Sequence, residues 1–439
     1  MRANRGVVET KSERRVVIVG GGFGGLTAAR ALANVPGIQI TLVDRENYHL
    51  FQPLLYQVAM AGLSPADIAA PIRSVLAGAD NVKVLLGQVD AVDLQARTLT
   101  LAATPYAPEQ QLAYDHLILA AGAATSYFGH GAWESHAPGL KSVEDALEIR
   151  RRVLSAFEAA ERCTDEAQRI RMLSFVIIGG GPTGVELAGA VAELAQRVLT
   201  KDFRVVQPRV SRVVLVEGGP RILAAFDPHS SDAAVEQLRE LGVDVRVNTK
   251  VVGIHESGVQ LEQGSIEAAT VVWAAGVSAN PLGKTLGTEL DRAGRVLVGA
   301  DCALPGHPDV FVIGDMAAFV EDGKSLPGVS PVAMQQARYV AKLIRDDVPA
   351  AARVPFRYTD KGTMATIGRS RAVAETGKLR MRGLVAWLAW LVVHIWYLIG
   401  FRNRAVVMFT WLWSYVFYRR GARLITHEWG ETHTRKLAP

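Results

Sequence analysis

Short apolar segments alternate with glycine-rich turns and helix-like stretches along the first half of the chain. Residues 15–19 (RVVIV) form a β-branched run that leads into GGGFGG and then into LTAARALA. Residues 38–44 (IQITLVD) form a second apolar run, which ends in an acid. A strand, a glycine turn, a helical pattern and a second strand in this order predict a βαβ unit.

The same order of elements occurs a second time. Residues 175–178 (FVII) precede GGGPTG and VELAGAVAEL, and residues 213–217 (VVLVE) again end in an acid. This is a duplication of architecture and not a short-period repeat. The sequence therefore predicts an α/β fold with two Rossmann-like dinucleotide-binding domains.

Three further segments indicate how the domains are connected. Residues 117–125 and 271–278 each run from an apolar strand into Ala-Ala-Gly, and residues 310–315 (VFVIGD) form another buried strand. This pattern predicts that the second domain is inserted in the first. The predicted limits are 14–125 and 281–350 for the two parts of the first domain, 126–280 for the second (core 171–278), 351–383 for a strand-like region and 384–430 for amphipathic membrane-anchoring helices.

The first glycine turn matches the dinucleotide-binding pattern G-x-G-x-x-G at Gly20, Gly22 and Gly25. The first glycine permits a tight turn, the second lets the backbone approach a pyrophosphate, and the third lets the helix pack closely on the strand. Asp44 ends the next strand, where an acid would hold a ribose hydroxyl. The alternative is a structural strand-to-helix turn without a ligand.

The second glycine turn repeats this spacing at Gly179, Gly181 and Gly184, and Glu217 ends its partner strand. An acid at that position repels a 2′-phosphate, so the sequence predicts NADH as the substrate in preference to NADPH. Arg221, four residues further on, leaves NADPH open as an alternative.

Two dinucleotide sites predict a flavin as the hydride acceptor, because a flavin usually accepts hydride from a nicotinamide. An N-terminal site with a distant, returning Gly-Asp is the arrangement expected for FAD, with Asp315 near its ribityl chain or pyrophosphate. The alternative for Asp315 is a helix N-cap. The predicted FAD-binding residues are Gly20, Gly22, Phe23, Gly24, Gly25, Asp44, Gln52, Ala121, Gly122, Asp315 and Ala333. The predicted NADH-binding residues are Gly179, Gly181, Pro182, Thr183, Gly184, Glu217, Ala275 and Gly276.

Composition narrows the chemistry. Among 439 residues there are two cysteines, Cys163 and Cys302, far apart in sequence, which argues against a disulfide framework, a cysteine metal site and a dithiol relay beside a flavin. No metal site is predicted. The N-terminus lacks the apolar segment of a secretory signal, so we expect a disordered lead-in and a cytoplasmic redox environment. The net charge of +5 suits an anionic membrane surface, and nucleic-acid binding is not predicted.

The C-terminal region is strongly apolar and rich in tryptophan. Residues 384–401 contain no charged side chain, residues 405–418 form a second apolar run, and the second run is too short to cross a membrane. We therefore expect both runs to lie in the membrane plane. An aromatic stripe is predicted to lie at the headgroup boundary, and basic residues to contact anionic lipid within 384–423. The stripe is Trp387, Trp390, His394, Tyr397 and Phe401, and the basic residues are Lys378, Arg380, Arg382, Arg419, Arg420 and Arg423. The alternatives are a buried core helix and a dimer interface.

With these motifs, the sequence resembles the type II NADH:quinone oxidoreductases, the single-subunit respiratory NADH dehydrogenases that do not pump protons. The resemblance begins near residue 14 and covers nearly the whole chain. Its most specific segment is FQPLLYQVA at 51–59, which has no generic structural reason to exist. The other matching segments are GGGFGG, IGGGPTGVELAGA (178–190), VIGD (312–315), VAMQQ (332–336), KGTMATIGR (361–369) and the aromatic tail.

The resemblance also implies candidate catalytic residues. Glu186 would lie near the flavin and relay protons to a reduced quinone, and the alternative is an acid placed favourably at a helix N-terminus. Gln335 and Gln336 would hydrogen-bond a quinone carbonyl, and the alternative is a pair of surface glutamines. Ser330 is predicted to be the N-cap of their helix, with Pro331 at its first position. Lys361 is expected to be a solvated surface residue, and His394 a packed or interfacial one.

The function predicted from the sequence is transfer of hydride from NADH to FAD and of two electrons to a membrane quinone, without proton pumping. The expected protein is monotopic, peripheral to the cytoplasmic face of the cell membrane, and a possible homodimer. One alternative is a soluble reductase that serves a ferredoxin or a rubredoxin. A second alternative is a binding protein that responds to NADH and is not chiefly an enzyme.

Overall fold

The computed structural model describes residues 13–199, 202–207, 210–417 and 421–426, so the predicted lead-in before residue 13 lies outside the described part. The chain divides into two compact units. The first unit contains the described residues of Met1–His49, with Ala70–Ala124 and Val277–Thr359. The second contains Leu50–Ala69, Thr125–Gly276 and the described residues of Asp360–Pro439. Residues 50–69 and 360–383 thus belong with the second unit, whereas the predicted limits placed 50–69 in the first domain.

A six-stranded sheet forms the centre of the first unit. The strand Arg14–Val19 pairs in parallel with Ile38–Asp44 on one side and His116–Leu119 on the other. Five of the six strands are parallel, and the edge strand Ala303–Leu304 is antiparallel. From that edge the order is Ala303–Leu304, His307–Val312, His116–Leu119, Arg14–Val19, Ile38–Asp44 and Val82–Leu86. The continuous apolar runs read from the sequence fit this position, because a central parallel strand is covered on both faces.

A four-stranded parallel sheet forms the core of the second unit. Its order is Val243–Arg246, Arg212–Val216, Ser174–Ile178 and Thr270–Trp273. All five residues of Ser174–Ile178 are buried. The two parallel sheets confirm the predicted α/β fold class with a dinucleotide-binding sheet in each half.

The α-helices of the described residues are labelled in chain order. They are α1 (Phe23–Leu32), α2 (Leu55–Ala59), α3 (Pro65–Ile68), α4 (Ile72–Val75), α5 (Val143–Arg162), α6 (Glu166–Met172), α7 (Pro182–Glu193), α8 (Pro228–Glu240), α9 (Ser330–Arg345), α10 (Gly383–Tyr397) and α11 (Phe401–Phe417). Helix α7 continues as a π-helical turn at Leu194–Val198. Helices α1 and α7 each follow the first strand of their parallel sheet.

Smaller sheets surround the two cores. The first unit carries the strands Val89–Asp93, Thr98–Leu101 and Gln110–Ala113, and the pairs Val296–Leu297 with Ala317–Ala318 and Val320–Glu321 with Lys324–Ser325. The second carries Val251–His255, Gly258–Leu261 and Ser265–Glu267, and an antiparallel C-terminal sheet of Thr363–Gly368, Arg371–Thr376 and Leu379–Arg382. Four short strands lie at the limits of the units: Tyr48–Leu50, Ala69–Pro71, Ala123–Thr125 and Val277–Ala279.

The C-terminal sheet leads directly into the two apolar helices. Helix α10 ends before Gly400, whose φ of 89° turns the chain into α11. Arg404 then donates from Nε to the carbonyl of Leu398 (2.7 Å) and from Nη2 to that of Trp396 (2.9 Å), which satisfies carbonyls at the end of α10. Of the helices in the described residues, none is both long and apolar enough to cross a membrane.

Candidate active site

The first glycine loop has the geometry that its spacing predicts. Gly20 has a φ of 103°, and a Cβ on Gly25 would lie 1.7 Å from the Gly20 carbonyl oxygen, so only glycine fits at either position. A Cβ on Gly22, in contrast, would meet no protein atom within 4 Å. The backbone at Gly22, at the N-terminus of α1, is therefore open to a phosphate group, and the loop fits the FAD pyrophosphate expected there.

Asp44 holds the first loop in place from the neighbouring strand. Its Oδ2 accepts a hydrogen bond from the Gly21 N–H, and its Oδ1 accepts one from the Glu46 N–H at 2.7 Å. A carboxylate that accepts two backbone hydrogen bonds is fixed in orientation. Asp44 therefore has a structural role in the loop in addition to the predicted contact with a ribose.

His49 supports the same loop and was not singled out in the sequence. The side chain is 1% exposed, its Nδ1 lies 2.9 Å from the Gly21 carbonyl oxygen, and its ring meets the Phe23 ring edge-on at 5.1 Å. Burial lowers the pKa of His49 below its ordinary value, so the ring is neutral and donates from Nδ1 to Gly21. A lone histidine in a three-residue strand carries no sequence signal for this role.

The second glycine loop repeats the arrangement. Gly179 has a φ of 111°, a Cβ on Gly184 would lie 1.8 Å from the Gly179 carbonyl oxygen, and Gly181 faces open space. The two oxygens of Glu217 accept hydrogen bonds from the Gly180 and Gly219 N–H groups, each at 2.6 Å. The predicted residues Pro182 and Thr183 form the exposed first turn of α7.

The Arg221 side chain bonds to the backbone three residues further along the chain. Its Nη2 donates to the Ala224 carbonyl oxygen at 2.7 Å. One nitrogen of the guanidinium is therefore occupied by the backbone, whereas the Glu217 carboxyl lies directly beside the loop. The local arrangement therefore favours a ribose without a 2′-phosphate.

The predicted FAD residues outside the loop lie mostly in the first unit. Gly122 has a φ of 70° and faces open space, and Ala121 donates its N–H to the Met316 sulfur at 3.2 Å. Asp315 is half-buried in a 3-10 turn, Gly314–Met316, with its carboxylate beside Gly328. Ala333 packs against Gly314. Gln52 lies in the second unit, where its Nε2 is 3.5 Å from the Lys141 carbonyl oxygen.

The two glutamines of α9 have separate structural partners in the first unit. Gln335 exchanges two hydrogen bonds with the backbone of Thr359, at 2.9 and 3.0 Å, so both ends of its amide are occupied. Gln336 is fully buried, and its Oε1 accepts from the Gly314 N–H at 2.8 Å. Neither is a simple surface glutamine. The predicted N-cap of α9, Ser330, was wrong by one residue, because the cap position is Val329. No side chain caps this end of the helix.

A pocket of about 150 Å³ lies within the second unit. Its wall combines segments that are far apart in sequence: α2, α7 with its π-helical turn, the strand Thr363–Gly368 and the two C-terminal helices. Each of these segments overlaps a motif that carries the family resemblance. The lining residues are Tyr56, Gln57, Met60, Gly62, Glu186, Ala190, Glu193, Arg197, Val198, Thr366, Ile367, Gly368, Arg369, Trp387, Trp390, Leu391, Trp411 and Ser414.

Glu186 supplies a titratable group to this pocket. Its Oε1 lies 3.4 Å from the Thr366 N–H, a long hydrogen bond that stabilises the charged form only weakly. Burial disfavours the charge and raises the pKa of Glu186 from 4.5 to about 8. The carboxyl is therefore largely protonated at neutral pH and can donate a proton inside the pocket. One turn beyond Ala190, Glu193 is held by the backbone N–H of Arg369 at 2.5 Å.

A hydrogen-bonded chain forms another part of the wall. Trp411 donates from Nε1 to Gln57 Oε1 at 2.8 Å, and Gln57 donates from Nε2 to the Tyr56 hydroxyl at 2.8 Å. These bonds attach α11 to the helix of the FQPLLYQVA segment. The predicted surface residue Lys361 is exposed, as expected.

Trp390 and His394 of the aromatic stripe are buried in the protein, so their predicted place at the headgroup boundary was wrong, whereas Tyr397 and Phe401 are exposed. Trp390 is 1% exposed and stacks on His394 at 4.1 Å, and His394 Nδ1 lies 2.7 Å from the Trp390 carbonyl oxygen. Burial lowers the pKa of His394 to about 4, so this packed histidine is neutral. The C-terminal sheet packs on this side of α10, where Ala372 and Ala374 form a cluster with Ala386 and the partly buried Trp387.

Away from Trp390 and His394, helices α10 and α11 expose a set of large apolar side chains, here named the apolar face. It consists of Leu384, Val385, Leu388, Val392, Trp396, Phe401, Met408, Phe409, Leu412, Trp413, Val416 and Phe417. An exposed apolar patch of this kind marks a surface that contacts a membrane or a partner.

The predicted basic flank is only partly available on the surface. Arg380 pairs with Asp227 at 2.6 Å, and Arg423 pairs with Asp202. Lys378 and Arg382 are exposed beside the start of α10. The predicted Arg419 and Arg420 lie outside the described residues.

Comparison with protein families matches residues 14–337 to the pyridine nucleotide-disulphide oxidoreductases and residues 361–420 to the NDH2 C-terminal domain. The chain is 47% identical over 432 residues to the type II NADH:quinone oxidoreductase NdhA of Mycobacterium tuberculosis, covering 94% of this chain and 90% of the relative. It is 43% identical to the type II NADH:quinone oxidoreductase Ndh of the same organism, covering 96% and 92%.

The fold is also found among solved structures. NDH2 from Plasmodium falciparum in complex with NADH superimposes with a TM-score of 0.84 at 19% identity, covering 94% of this chain and all of that one. The sulfide:quinone oxidoreductase from Aquifex aeolicus superimposes with a TM-score of 0.70 at 18% identity, covering 97% and 95%. At these identities the likeness concerns the fold alone.

Proposed function

Because the chain belongs to the type II NADH:quinone oxidoreductases, within the pyridine nucleotide-disulphide oxidoreductase family, we propose that it oxidises NADH and reduces a membrane quinone in the pocket that contains Glu186. The enzyme would be monotopic and would not pump protons. When bound, FAD accepts the hydride of NADH and supplies two electrons to the quinone.

The first unit would bind FAD through the open backbone at Gly22 and the N-terminus of α1, with the loop held by Asp44 and His49. The second unit would bind NADH through Gly181 and the N-terminus of α7. Glu217 would accept the ribose hydroxyls and repel a 2′-phosphate, which favours NADH over NADPH.

One observation carries the assignment of the acceptor. A pocket with a protonated carboxyl is walled by helices α10 and α11, and the other faces of these helices form the apolar face. A substrate dissolved in a bilayer would reach such a pocket from the apolar face. Reduction of a quinone to a quinol consumes two electrons and two protons, and Glu186 would supply one of those protons.

The apolar face would lie in the plane of the membrane, with Lys378 and Arg382 close to anionic headgroups. We propose the cytoplasmic side, because both cysteines are free thiols, as is usual for proteins of that compartment. The homodimer expected from the sequence remains a prediction.

Filling the pocket tests this assignment. Ala190 lines the pocket between Glu186 and Glu193, so Ala190→Phe would occupy the space of the quinone ring. We expect quinone reduction to fall roughly 100-fold, whereas NADH would still bleach the flavin and ferricyanide, a small water-soluble oxidant, would still reoxidise it.

The matched control is Ala225→Phe, at an exposed position of the same unit outside the pocket, with unchanged activity expected. Equal loss of the quinone and ferricyanide reactions in Ala190→Phe, at an unchanged melting temperature, would contradict this location for the quinone. Reoxidation of the wild type only by a soluble protein acceptor would contradict quinone as the substrate.

A further inference from the structure

Phe128 is an exposed aromatic residue in a backbone conformation that favours glycine. Its φ is 51°, that of Gly129 is 90°, and the His130 N–H closes the turn on the Tyr127 carbonyl oxygen at 3.0 Å. Positive φ at both central residues of a turn strongly favours Gly, Asn or Asp. The Phe128 side chain is nevertheless 66% exposed. A large apolar residue is thus held in a disfavoured conformation without being buried.

The core beneath Phe128 is complete without its ring. Tyr127 and Trp273 are 8% and 4% exposed, and their rings lie 5.4 Å apart. The Tyr127 hydroxyl donates to the Ala137 carbonyl oxygen at 2.9 Å. The Phe128 ring meets this layer edge-on, 6.1 Å from the Trp273 ring, and leaves most of its own surface in solvent. Packing alone therefore does not explain an aromatic side chain here.

The turn is fixed to the last strand of the second parallel sheet. The Ser126 N–H donates to the Gly276 carbonyl oxygen at 3.1 Å, and Trp273 Nε1 donates to the Ser126 carbonyl oxygen at 2.9 Å. A Cβ on Gly276 would lie 2.6 Å from Phe128 Cζ, so the ring covers the backbone at this glycine. These contacts place the ring at the carboxyl end of Thr270–Trp273.

The sheet order places Phe128 on one side of the second glycine loop. The strand Ser174–Ile178, which leads into that loop, has Arg212–Val216 as one neighbour and Thr270–Trp273 as the other. Glu217 follows the first neighbour and would hold the adenosine ribose. Ala275 follows the second and lies against Gly179. A dinucleotide whose pyrophosphate lies over Gly181 must therefore direct its other half towards the side of Gly276 and Phe128.

We propose that the Phe128 ring is the contact surface for the nicotinamide ring of NADH. This inference rests on the proposed function and adds to it a residue that positions the hydride-donating ring. The positive φ of Phe128 holds its ring above Gly276. An extended backbone at this residue would point the ring away from Gly276. A flat, apolar ring at this place would contact the nicotinamide ring, while the adenine half of NADH would bind on the side of Glu217.

Two ligands distinguish this role from a general effect on the fold. NAD⁺ carries the nicotinamide ring, and ADP-ribose lacks it. In Phe128→Gly, which removes the ring and suits the positive φ, we expect the Kd of NAD⁺ for the holoenzyme to rise roughly 5- to 100-fold by calorimetry, the range found when an aromatic stacking partner is removed. The Kd of ADP-ribose should not change, and Phe128→Tyr should retain wild-type binding of both ligands.

The matched control is Tyr106→Ala, which removes a 97% exposed aromatic residue of the first unit. A Kd of NAD⁺ in Phe128→Gly within about twofold of the wild type, or equal weakening of NAD⁺ and ADP-ribose, would overturn the inference. Failure of the proposed function would give a different result. In that case the wild-type holoenzyme would bind NAD⁺, but NADH would not bleach its flavin.

Discussion

Replacing Glu186 with glutamine should remove a pH dependence of stability that this carboxyl creates. The pKa of Glu186 is raised from 4.5 to about 8 in the folded chain, because burial in the pocket disfavours the charged form. Between these values the folded chain holds a proton that the unfolded chain has lost. The free energy of unfolding therefore falls as the pH rises from about 4.5 to about 8, and the carboxyl adds no slope outside that window.

The size of the effect follows from the same two values. At about 1.4 kcal/mol per pH unit, the interval from 4.5 to about 8 gives an upper bound of about 5 kcal/mol. Glu186 is half-buried, so screening by solvent lowers the expected loss to about 2–3 kcal/mol. In Glu186→Gln the amide is neutral at every pH and keeps an oxygen that accepts from Thr366. The variant should be close to the wild type in stability near pH 5 and more stable by about 2–3 kcal/mol near pH 8.5.

Thermal unfolding of the holoenzyme across this pH range measures the difference. A gain of that size corresponds to a melting temperature roughly 2–6 °C higher for the variant at the alkaline end. Glu267→Gln, at an exposed position on the strand Ser265–Glu267, is the matched control and should follow the wild-type curve. Parallel curves for Glu186→Gln and the wild type would refute the argument that burial keeps this carboxyl protonated.

Three further predictions concern the NADH loop and the apolar face. Gly184→Ala should fail to fold, because its Cβ would lie 1.8 Å from the Gly179 carbonyl oxygen. Gly181→Ala should melt like the wild type but show a KM for NADH at least roughly tenfold higher. Equal melting temperatures for the two variants would contradict this prediction. Glu217→Gln should lower the preference for NADH over NADPH by roughly tenfold, seen as the ratio of kcat/KM values, and an unchanged ratio would assign the selectivity elsewhere. The double variant Leu388→Glu with Val392→Glu should reduce the fraction of protein that sediments with anionic vesicles at least roughly tenfold. The control is Val252→Glu, at an exposed position outside the tail. Equal binding by the double variant and the control would exclude the apolar face as the membrane contact.

The two dinucleotide loops were predictable because their geometry is local. Glycine spacing, a preceding apolar strand and an acid at the end of the next strand lie within about 45 residues. A positive φ at Gly20 and the close approach of Gly25 to its carbonyl oxygen follow from that short segment alone. The α/β class follows equally, since parallel strands are read from continuous apolar runs.

The orientation of α10 was not predictable, because a neighbour distant in sequence decides it. The spacing of Trp387, Trp390 and His394 predicts one face of a helix correctly. It does not show whether lipid or protein covers that face. Ala372 and Ala374 of the C-terminal sheet pack with Ala386 and Trp387 of α10, which leaves Leu388 and Val392 on the outer side.

The pocket also depends on contacts that are distant in sequence. It combines residues 56–62, 186–198, 366–369 and 387–414. The resemblance identified a motif in each of these four segments separately, and only folding brings them to one cavity. Glu186 could be singled out from its helix position, but its raised pKa depends on the strand and helices that surround it.

Stopped-flow spectroscopy of the wild-type holoenzyme on quinone-containing vesicles tests the central claim most directly. We predict that NADH bleaches the flavin absorbance and that the absorbance returns at a rate that increases with the quinone content of the bilayer. Recovery at the same rate in vesicles without quinone, or recovery only after a soluble protein acceptor is added, would contradict the claim that this chain passes electrons from NADH to a membrane quinone.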